Sequence, residues 1–495
     1  MKIVFVYPAF ESLAIEYLSA IAKAKGHSVS LVFDPRLFND SFINIPPLAK
    51  MFSMSKRVAD LVAAREPDLV AFSIVTSDYL WFQSIGGMIR RKTSAPIIAG
   101  NIHATSAPEE VLKNDFVNAI VMGEGESVFG DLLDGLSTGE IDPSLMNLGV
   151  KTKDGVKINP VRPLIENLDE LPFPDKTIYS GTSLRSSDVY TIMAVRGCPF
   201  TCSFCNNNLM KKIYGVKGYV RQRSVDNVIE ELSIAVKKYG AKNINFYDEV
   251  FGSNKKWLEE FVEKYCSKIG LPYIACTNPN IVTEEYARLL KKSGCEKIDL
   301  GVQTINAVKR KEIYHRSETN EQIEYAINEL KRNKIVVAAE NIINFPGETE
   351  ADLVEMTTFY NNTRPDILKV FWLRYFPGTE IIDIGLREGV LKKEDIPHIN
   401  AGRNLGSVTL GGKAASLQKR FYLLLMLSQI FRKKTIERII DKKLYRYFPI
   451  SSVSTMAYTF FRVISRKSRG SEIMLYQHAG RYLYYVKRFL TGSNF

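Results

Sequence analysis

Short apolar strands alternate with amphipathic helical stretches twice along this chain, and that alternation leaves few folds open. Residues 2–7, 28–33, 69–75, 96–100 and 119–123 read as buried strands separated by helical stretches. The first helix is plain: Leu13, Tyr17, Leu18, Ile21 and Ala24 share one face between Ser12 and Lys25, and Gly26 ends it. Strands joined through helices run parallel, so residues 1–150 are expected to form a doubly wound α/β sheet. Ligands of such a sheet sit beyond the carboxyl ends of its strands. Residues 38–55 fall outside the alternation and read as an insertion or irregular helix. Residues 151–187, with Leu171-Pro-Phe-Pro-Asp175, read as a linker crossing a surface. The second alternation follows, with strands near 189–196, 243–249, 273–277, 297–303, 337–345 and 367–375. Six successive βα units predict an open or closed barrel of parallel strands within 188–395. From 396 to 495 strand signals vanish, and a basic α-helical region is expected.

The 495 residues are too many for one core, and 45% hydrophobic with 24% charged residues excludes a disordered chain. Six cysteines are too few for a secreted disulfide scaffold. Met1-Lys2 leads straight into an apolar run with no signal peptide, and no stretch approaches the roughly 20 apolar residues of a membrane span. A cytoplasmic location is expected. The net charge of +12 is uneven: residues 413–495 carry 17 Lys/Arg against three acids, leaving the rest of the chain at −2. Such a tail is expected to meet something anionic.

The strongest chemical signal is Arg196-Gly-Cys198-Pro-Phe-Thr-Cys202-Ser-Phe-Cys205, just after the first strand of the second alternation. Three thiolates at this spacing can ligate three irons of a [4Fe–4S] cluster and leave one iron open. The alternative is zinc, but zinc sites are usually built from paired Cys-x2-Cys units and no second pair exists. This stretch resembles the radical S-adenosylmethionine superfamily. The resemblance implies that the open iron holds S-adenosylmethionine, which the cluster cleaves reductively to methionine and a 5′-deoxyadenosyl radical. It also implies that Phe204 packs near adenine, that Asp248 or Glu249 after the second barrel strand contacts S-adenosylmethionine, and that Gln303 in Gly301-Val-Gln-Thr304 reaches the ribose. Asn344 and Gly347, in Asn344-Phe-Pro-Gly347-Glu-Thr349, match a turn whose backbone approaches adenine, and Arg374-Tyr-Phe-Pro-Gly-Thr379 closes the sixth unit.

The first region resembles the cobalamin-binding domain found ahead of many radical enzymes, through Gly100-Asn-Ile-His-Ala-Thr105, Pro108-Glu-Glu110 and Gly123-Glu-Gly-Glu126. On that resemblance Tyr7, Ser73, Thr76, Gly100, Asn101, Gly123 and Glu124 are the strand-end positions available to cobalamin. The Asp-x-His-x-x-Gly signature of a lower axial histidine is missing, since neither His27 nor His103 has its flanks. No cysteine precedes Cys198, which argues against methylthiotransferases with a second cluster. Cys266 and Cys295 read as small buried hydrophobes, and Cys276 ends the third barrel strand.

The tail repeats an aromatic-plus-basic theme at 419–434, 458–464 and 482–488, none long enough to cross a bilayer. Two readings stand: a helical cap packed on the barrel, or a face that meets an anionic membrane or greasy substrate. No nucleic-acid module is visible. Together the resemblances imply a cobalamin-binding radical enzyme that methylates an unactivated carbon, served by a reductant such as flavodoxin or ferredoxin, and the basic, aromatic tail adds the expectation of a lipid-like substrate and a peripheral place at the inner face of the membrane. A radical cyclase or rearrangement enzyme is the alternative, and a membrane-surface cluster and corrinoid sensor is the non-enzymatic one.

Overall fold

The computed structural model describes residues 1–8, 10–39, 45–153, 155–182, 188–215, 218–403, 413–449 and 469–491. The stretch 458–464 of the tail lies outside them. Fifteen strands are present among the described residues: β1 (Lys2–Pro8), β2 (Ser28–Asp34), β3 (Leu69–Ser73), β4 (Ile97–Gly100), β5 (Ala119–Val121), β6 (Leu148–Thr152), β7 (Gly155–Ile158), β8 (Val189–Ile192), β9 (Val195–Arg196), β10 (Arg221–Gln222), β11 (Asn243–Phe246), β12 (Tyr273–Thr277), β13 (Cys295–Gln303), β14 (Val336–Ile343) and β15 (Ile367–Trp372).

The first sheet has the order β2-β1-β3-β4-β5-β6-β7. Its first five strands are parallel, as the alternation requires. β6 and β7 then add an antiparallel hairpin. Half of that hairpin lies in the stretch expected to be linker. All four β7 residues are exposed, and the alternation Val156-Lys157-Ile158 is too short to mark a strand in the sequence. Each strand from β1 to β5 buries both faces, with helices covering the two sides. The segment after β7 is a strap: Lys176 Nζ donates to the Thr191 carbonyl on β8 at 2.8 Å and pairs with Glu11 and Glu16 of the first domain at 2.7 and 2.6 Å.

The second sheet runs β15-β14-β13-β12-β11-β8, six parallel strands in sequence order. It is a partial (βα)6 barrel with β8 and β15 as its edges. Its outer face packs aliphatic residues such as Ile298, Leu300 and Val302 against the helices. The inner face is charged: Lys369 on β15 pairs with Asp299 on β13 at 2.8 Å and Glu340 on β14 at 3.0 Å, and Lys297 pairs with Asp299 at 3.3 Å.

The basic tail is helical where described. The helix Lys413–Ser428 sinks Phe421, Leu424, Leu425 and Met426 into the barrel's outer core, at about 1.5–3 kcal/mol for each large apolar side chain buried. The helix Arg469–Thr491 returns to the first domain, where Tyr485 is buried 5.8 Å from the Phe33 ring and Phe489 lies 5.0 Å from Phe52. The apolar face within 419–434 packs on the barrel, as the cap reading expects, whereas that at 482–488 departs from it and packs on the first domain. Cys266 differs from expectation: it is exposed, on the outer side of the helix Lys255–Lys268, whose inner side carries Trp257, Phe261 and Tyr265. No helix among the described residues is long and apolar enough to cross a membrane.

Candidate functional site

Cys198, Cys202 and Cys205 lie on the loop that links β9 to the helix Asn206–Tyr214. Its entry needs Gly197, whose φ is 90° and where a Cβ would stand 2.5 Å from the Tyr219 carbonyl. Its middle is tied down through Ser203. The Ser203 amide and hydroxyl donate to the carbonyls of Tyr314 (3.3 Å) and Ile313 (2.5 Å), and its own carbonyl accepts the Ile381 amide at 3.0 Å. Burial pushes the thiols of Cys198 and Cys205 up to about 11 and about 12. Cys202 is raised by burial too, opposed by Arg316, whose Nη1 lies 3.7 Å from its sulfur. Arg316 is held in turn by Glu318 and by the Gly301 carbonyl at 2.6 Å.

All six cysteines are free. Three unpaired thiols on one fixed loop, beside a buried guanidinium that favours thiolate, form a donor set suited to a cluster. Beside the loop, Asn206 Oδ1 and Asn344 Nδ2 are buried without partners, and each suits a polar ligand.

Around this loop the barrel brings together the other residues singled out in the sequence. Phe204 packs edge-on to Tyr314, with ring centres 4.9 Å apart. Gln303 ends β13 with φ 72° and Asn344 follows β14 with φ 69°, strained backbone of a kind that clusters at ligand sites. Gly347 has φ 71°, and the turn runs into a helix capped by Thr349 and Asp352. Within that turn Glu348 is pushed up to about 8 by burial, and its Oε2 accepts the Asn344 amide (2.8 Å) and Gln418 of the tail (2.9 Å). The Glu249 carboxyl is raised by burial, with Asn207 opposing, and it adds its charge near Cys198 and Cys205. Cys276 faces the lumen near Asp299, Glu340 and Lys369.

Asp248 is a latch on the backbone. Its Oδ1 accepts the amides of Ala194 (2.7 Å) and Val195 (3.0 Å), fixing the chain just ahead of the cysteine loop. Burial pushes its carboxyl up to about 7. An acid raised in the folded state binds more protons folded than unfolded between about pH 4 and about pH 7, so it removes stability as pH rises through that window. Asp248→Asn keeps an acceptor for both amides and is expected to remove that slope, about 1.36 kcal/mol per pH unit and so about 2.7 kcal/mol between pH 5 and pH 7. Urea denaturation at about pH 5 and about pH 8 checks this; an unchanged slope would show that Asp248 is ionised throughout.

A second site lies at the carboxyl edge of the first sheet, a cavity of about 250 Å³. Its floor is apolar, with Phe5, Leu18, Ile98 and Phe129, and its rim holds Ser73, Gly100, Asn101, Gly123 and Glu124. At Gly100 a Cβ would make only ordinary contact with the Val121 carbonyl, at 3.5 Å. Asn101, at φ 81°, donates to Ser73 Oγ at 2.8 Å. Met193 and Arg196 of the barrel close the same cavity. Tyr7 and Thr76 stand outside this lining: the Tyr7 hydroxyl is raised to about 12 by burial, and Thr76 Oγ1 lies 3.1 Å from His103 Nδ1. The Glu124 carboxylate is already engaged, by Arg196 (3.3 Å), Arg221 (2.9 Å) and the Ile165 amide (2.9 Å). The sequence signal for that role is charge alone, Glu124 and Glu126 against Arg196 and Arg221, and nothing in it pairs them across some 70 to 97 positions.

A parallel-sheet domain with a cavity at its carboxyl edge, ahead of a six-stranded barrel with three cysteines on its first loop, defines the class: the chain belongs to the radical S-adenosylmethionine superfamily and carries a B12-binding domain. The Radical SAM superfamily matches residues 192–360 and the B12 binding domain residues 5–133. Its cofactors are accordingly a [4Fe–4S] cluster, S-adenosylmethionine and cobalamin. An uncharacterised methyltransferase of Pyrococcus horikoshii is 27% identical over 408 residues, covering 79% of this chain and 84% of that one. The anaerobic magnesium-protoporphyrin IX monomethyl ester cyclase of Rubrivivax gelatinosus is 27% identical over 406 residues, 76% and 68% of the two chains. The fold is shared with the methyltransferase TsrM of Kitasatospora setae, solved with cobalamin and a [4Fe–4S] cluster (TM-score 0.62, 18% identity, 78% of this chain and 75% of that one). It is also shared with the cobalamin-dependent radical enzyme OxsB, solved with aqua-cobalamin and S-adenosylmethionine (TM-score 0.66, 15% identity, 99% and 83%).

Proposed function

We propose that this enzyme transfers a methyl group, through cobalamin, to an unactivated carbon of its substrate. One observation supports this most: Arg196, two residues before Cys198, is a wall of the first-domain cavity, so that cavity opens beside the start of the cysteine loop. In this reading Cys198, Cys202 and Cys205 hold the cluster. Phe204, Gln303, Asn344 and Gly347, with Glu249 beside the thiols, hold S-adenosylmethionine. Ser73, Gly100, Asn101 and Gly123 line the slot for the corrinoid's tail. When bound, these groups supply a 5′-deoxyadenosyl radical and a transferable methyl group. Asp248 and Ser203 keep the cysteine loop fixed, and the apolar cavity floor excludes water. Thr76 and Glu124 brace the cavity from behind through His103, Arg196 and Arg221.

The charged lumen bears on the substrate. Desolvating Lys297, Asp299, Glu340 and Lys369 where an apolar layer would pack is costly, so this floor suits a substrate with at least one polar or charged group rather than a wholly apolar lipid. The buried tail faces likewise lend little to membrane insertion. The electron donor is a small redox protein such as flavodoxin or ferredoxin.

Anaerobically reconstituted protein given S-adenosylmethionine with a deuterated methyl group tests the reading. Expected are 5′-deoxyadenosine and transfer of the label to the corrinoid. 5′-Deoxyadenosine with no label on the corrinoid would instead support a cyclase or rearrangement enzyme, a reading the Rubrivivax relative favours. Neither product would leave only the sensor.

Neither histidine near the first sheet suits a cobalt ligand. His103 is fully buried, its ring 4.3 Å from Tyr79, and burial lowers it to about 4. His27 sits at the opposite edge of the sheet, 3.3 Å from the Met1 amine. Hydroxocobalamin is expected to bind without protein imidazole, and its spectrum should be the same in His27→Ala and His103→Ala. A histidine–cobalt signal lost in either variant would contradict this.

A further inference from the structure

One four-residue turn of the first domain, Gly123–Glu126, holds the chain just ahead of the cysteine loop and the far end of the helix that follows it. At the leading end, Arg196 pairs with Glu126 at 2.5 Å and with Glu124 at 3.3 Å. At the trailing end, the helix that begins directly after Cys205 finishes at Tyr214, whose hydroxyl oxygen accepts the Glu124 backbone amide at 2.7 Å. Gly123 makes that approach possible: its φ is 66°, and a Cβ there would stand 2.2 Å from the Tyr214 oxygen. Arg221 on β10, the strand paired with β9, holds Glu124 from the far side at 2.9 Å. These ion pairs are mostly buried, with the side chains of Arg196, Glu124 and Glu126 only 15%, 15% and 11% exposed. Breaking such a buried pair is costly, so the turn and the chain ahead of the loop keep one arrangement together. The four residues of the turn, with Arg196, also line the first-domain cavity.

We infer that this turn couples the two cofactor sites, with Glu126, Arg196 and Tyr214 as positioning residues. The inference rests on the cofactor assignments above. A corrinoid seated in the cavity contacts the turn and fixes it; the same turn holds Arg196 ahead of the cysteine loop and, through Tyr214, the helix that follows the loop. The ordering cost is then met once for two ligands, which gives positive cooperativity. Linkage requires the effect to be reciprocal: the assembled cluster tightens corrinoid binding by the factor with which corrinoid stabilises the cluster.

The test uses the full-length protein and hydroxocobalamin, with affinity read by absorbance titration. It is measured on anaerobically reconstituted protein and on the same protein stripped of iron by a chelator, in wild type, Glu126→Gln and Tyr214→Phe. Wild type is expected to bind at least about fivefold more tightly with the cluster present. Glu126→Gln keeps the side chain's shape without its charge, and Tyr214→Phe removes only the hydroxyl. In both, the ratio should fall towards one while circular dichroism stays as in wild type. Equal affinities in the two wild-type forms, or a ratio that survives in both variants, overturn the coupling. No uptake of hydroxocobalamin in any form overturns the cofactor reading and the coupling with it, so the two failures are told apart.

Discussion

Replacing Cys202 with alanine is expected to reduce cleavage of S-adenosylmethionine to background and to lower the iron content of reconstituted protein. Cys202 is the most buried of the three loop cysteines, at 8% exposure, and Arg316 donates towards its sulfur. Alanine removes the acceptor and leaves a buried guanidinium N–H without that partner. It also takes away one of only three thiols on the loop, and no other thiol of the chain lies on that loop to replace it. The control is Cys266→Ala: that thiol is exposed on an outer helix, and its loss should change neither iron content nor turnover. Formation of 5′-deoxyadenosine by a homogeneous Cys202→Ala preparation would sink the cluster assignment.

Tyr485→Ala is expected to destabilise the first domain by about 3–5 kcal/mol, the usual cost of removing a large buried ring. Tyr485 is 2% exposed and sits against Phe33 of β2, far in sequence from its own helix. Leu483 on the same helix is 74% exposed, so Leu483→Ala should stay within about 0.5 kcal/mol of wild type. Urea denaturation of the pair measures the difference. A cost below about 1 kcal/mol for Tyr485→Ala would mean that the helix rests on the sheet without holding it.

Much of the scaffold could be read from the sequence because its strands bury apolar side chains, on both faces in the first sheet and on the outer face of the barrel. The six barrel strands fall within a few residues of their expected positions, since runs such as Ile298, Leu300 and Val302 leave little room for another register. β7 was illegible for the opposite reason: Gly155, Val156, Lys157 and Ile158 are all exposed, and backbone pairing alone makes them a strand. In the site, local spacing put the three cysteines on one loop and strand-end positions at the two edges. Roles that depend on distant partners were hidden. Asp248 turned to the backbone of residues 194 and 195, and Glu124 was claimed by guanidinium groups from the barrel. In the tail, aromatic residues beside basic ones read alike whether they face lipid or another helix, and only the packing of Phe421 and Tyr485 decides.

The return of helix Arg469–Thr491 to the first sheet has a consequence for biosynthesis. A domain assembled from the opening strands and this late helix cannot finish while the ribosome is still making the barrel. Contacts such as Phe38 with Tyr482 span more than 440 positions, so the closing step waits on the slowest kind of loop closure. Until then the ring of Phe33 and the edge of β2 stand open to solvent, a surface that an emerging chain must shield.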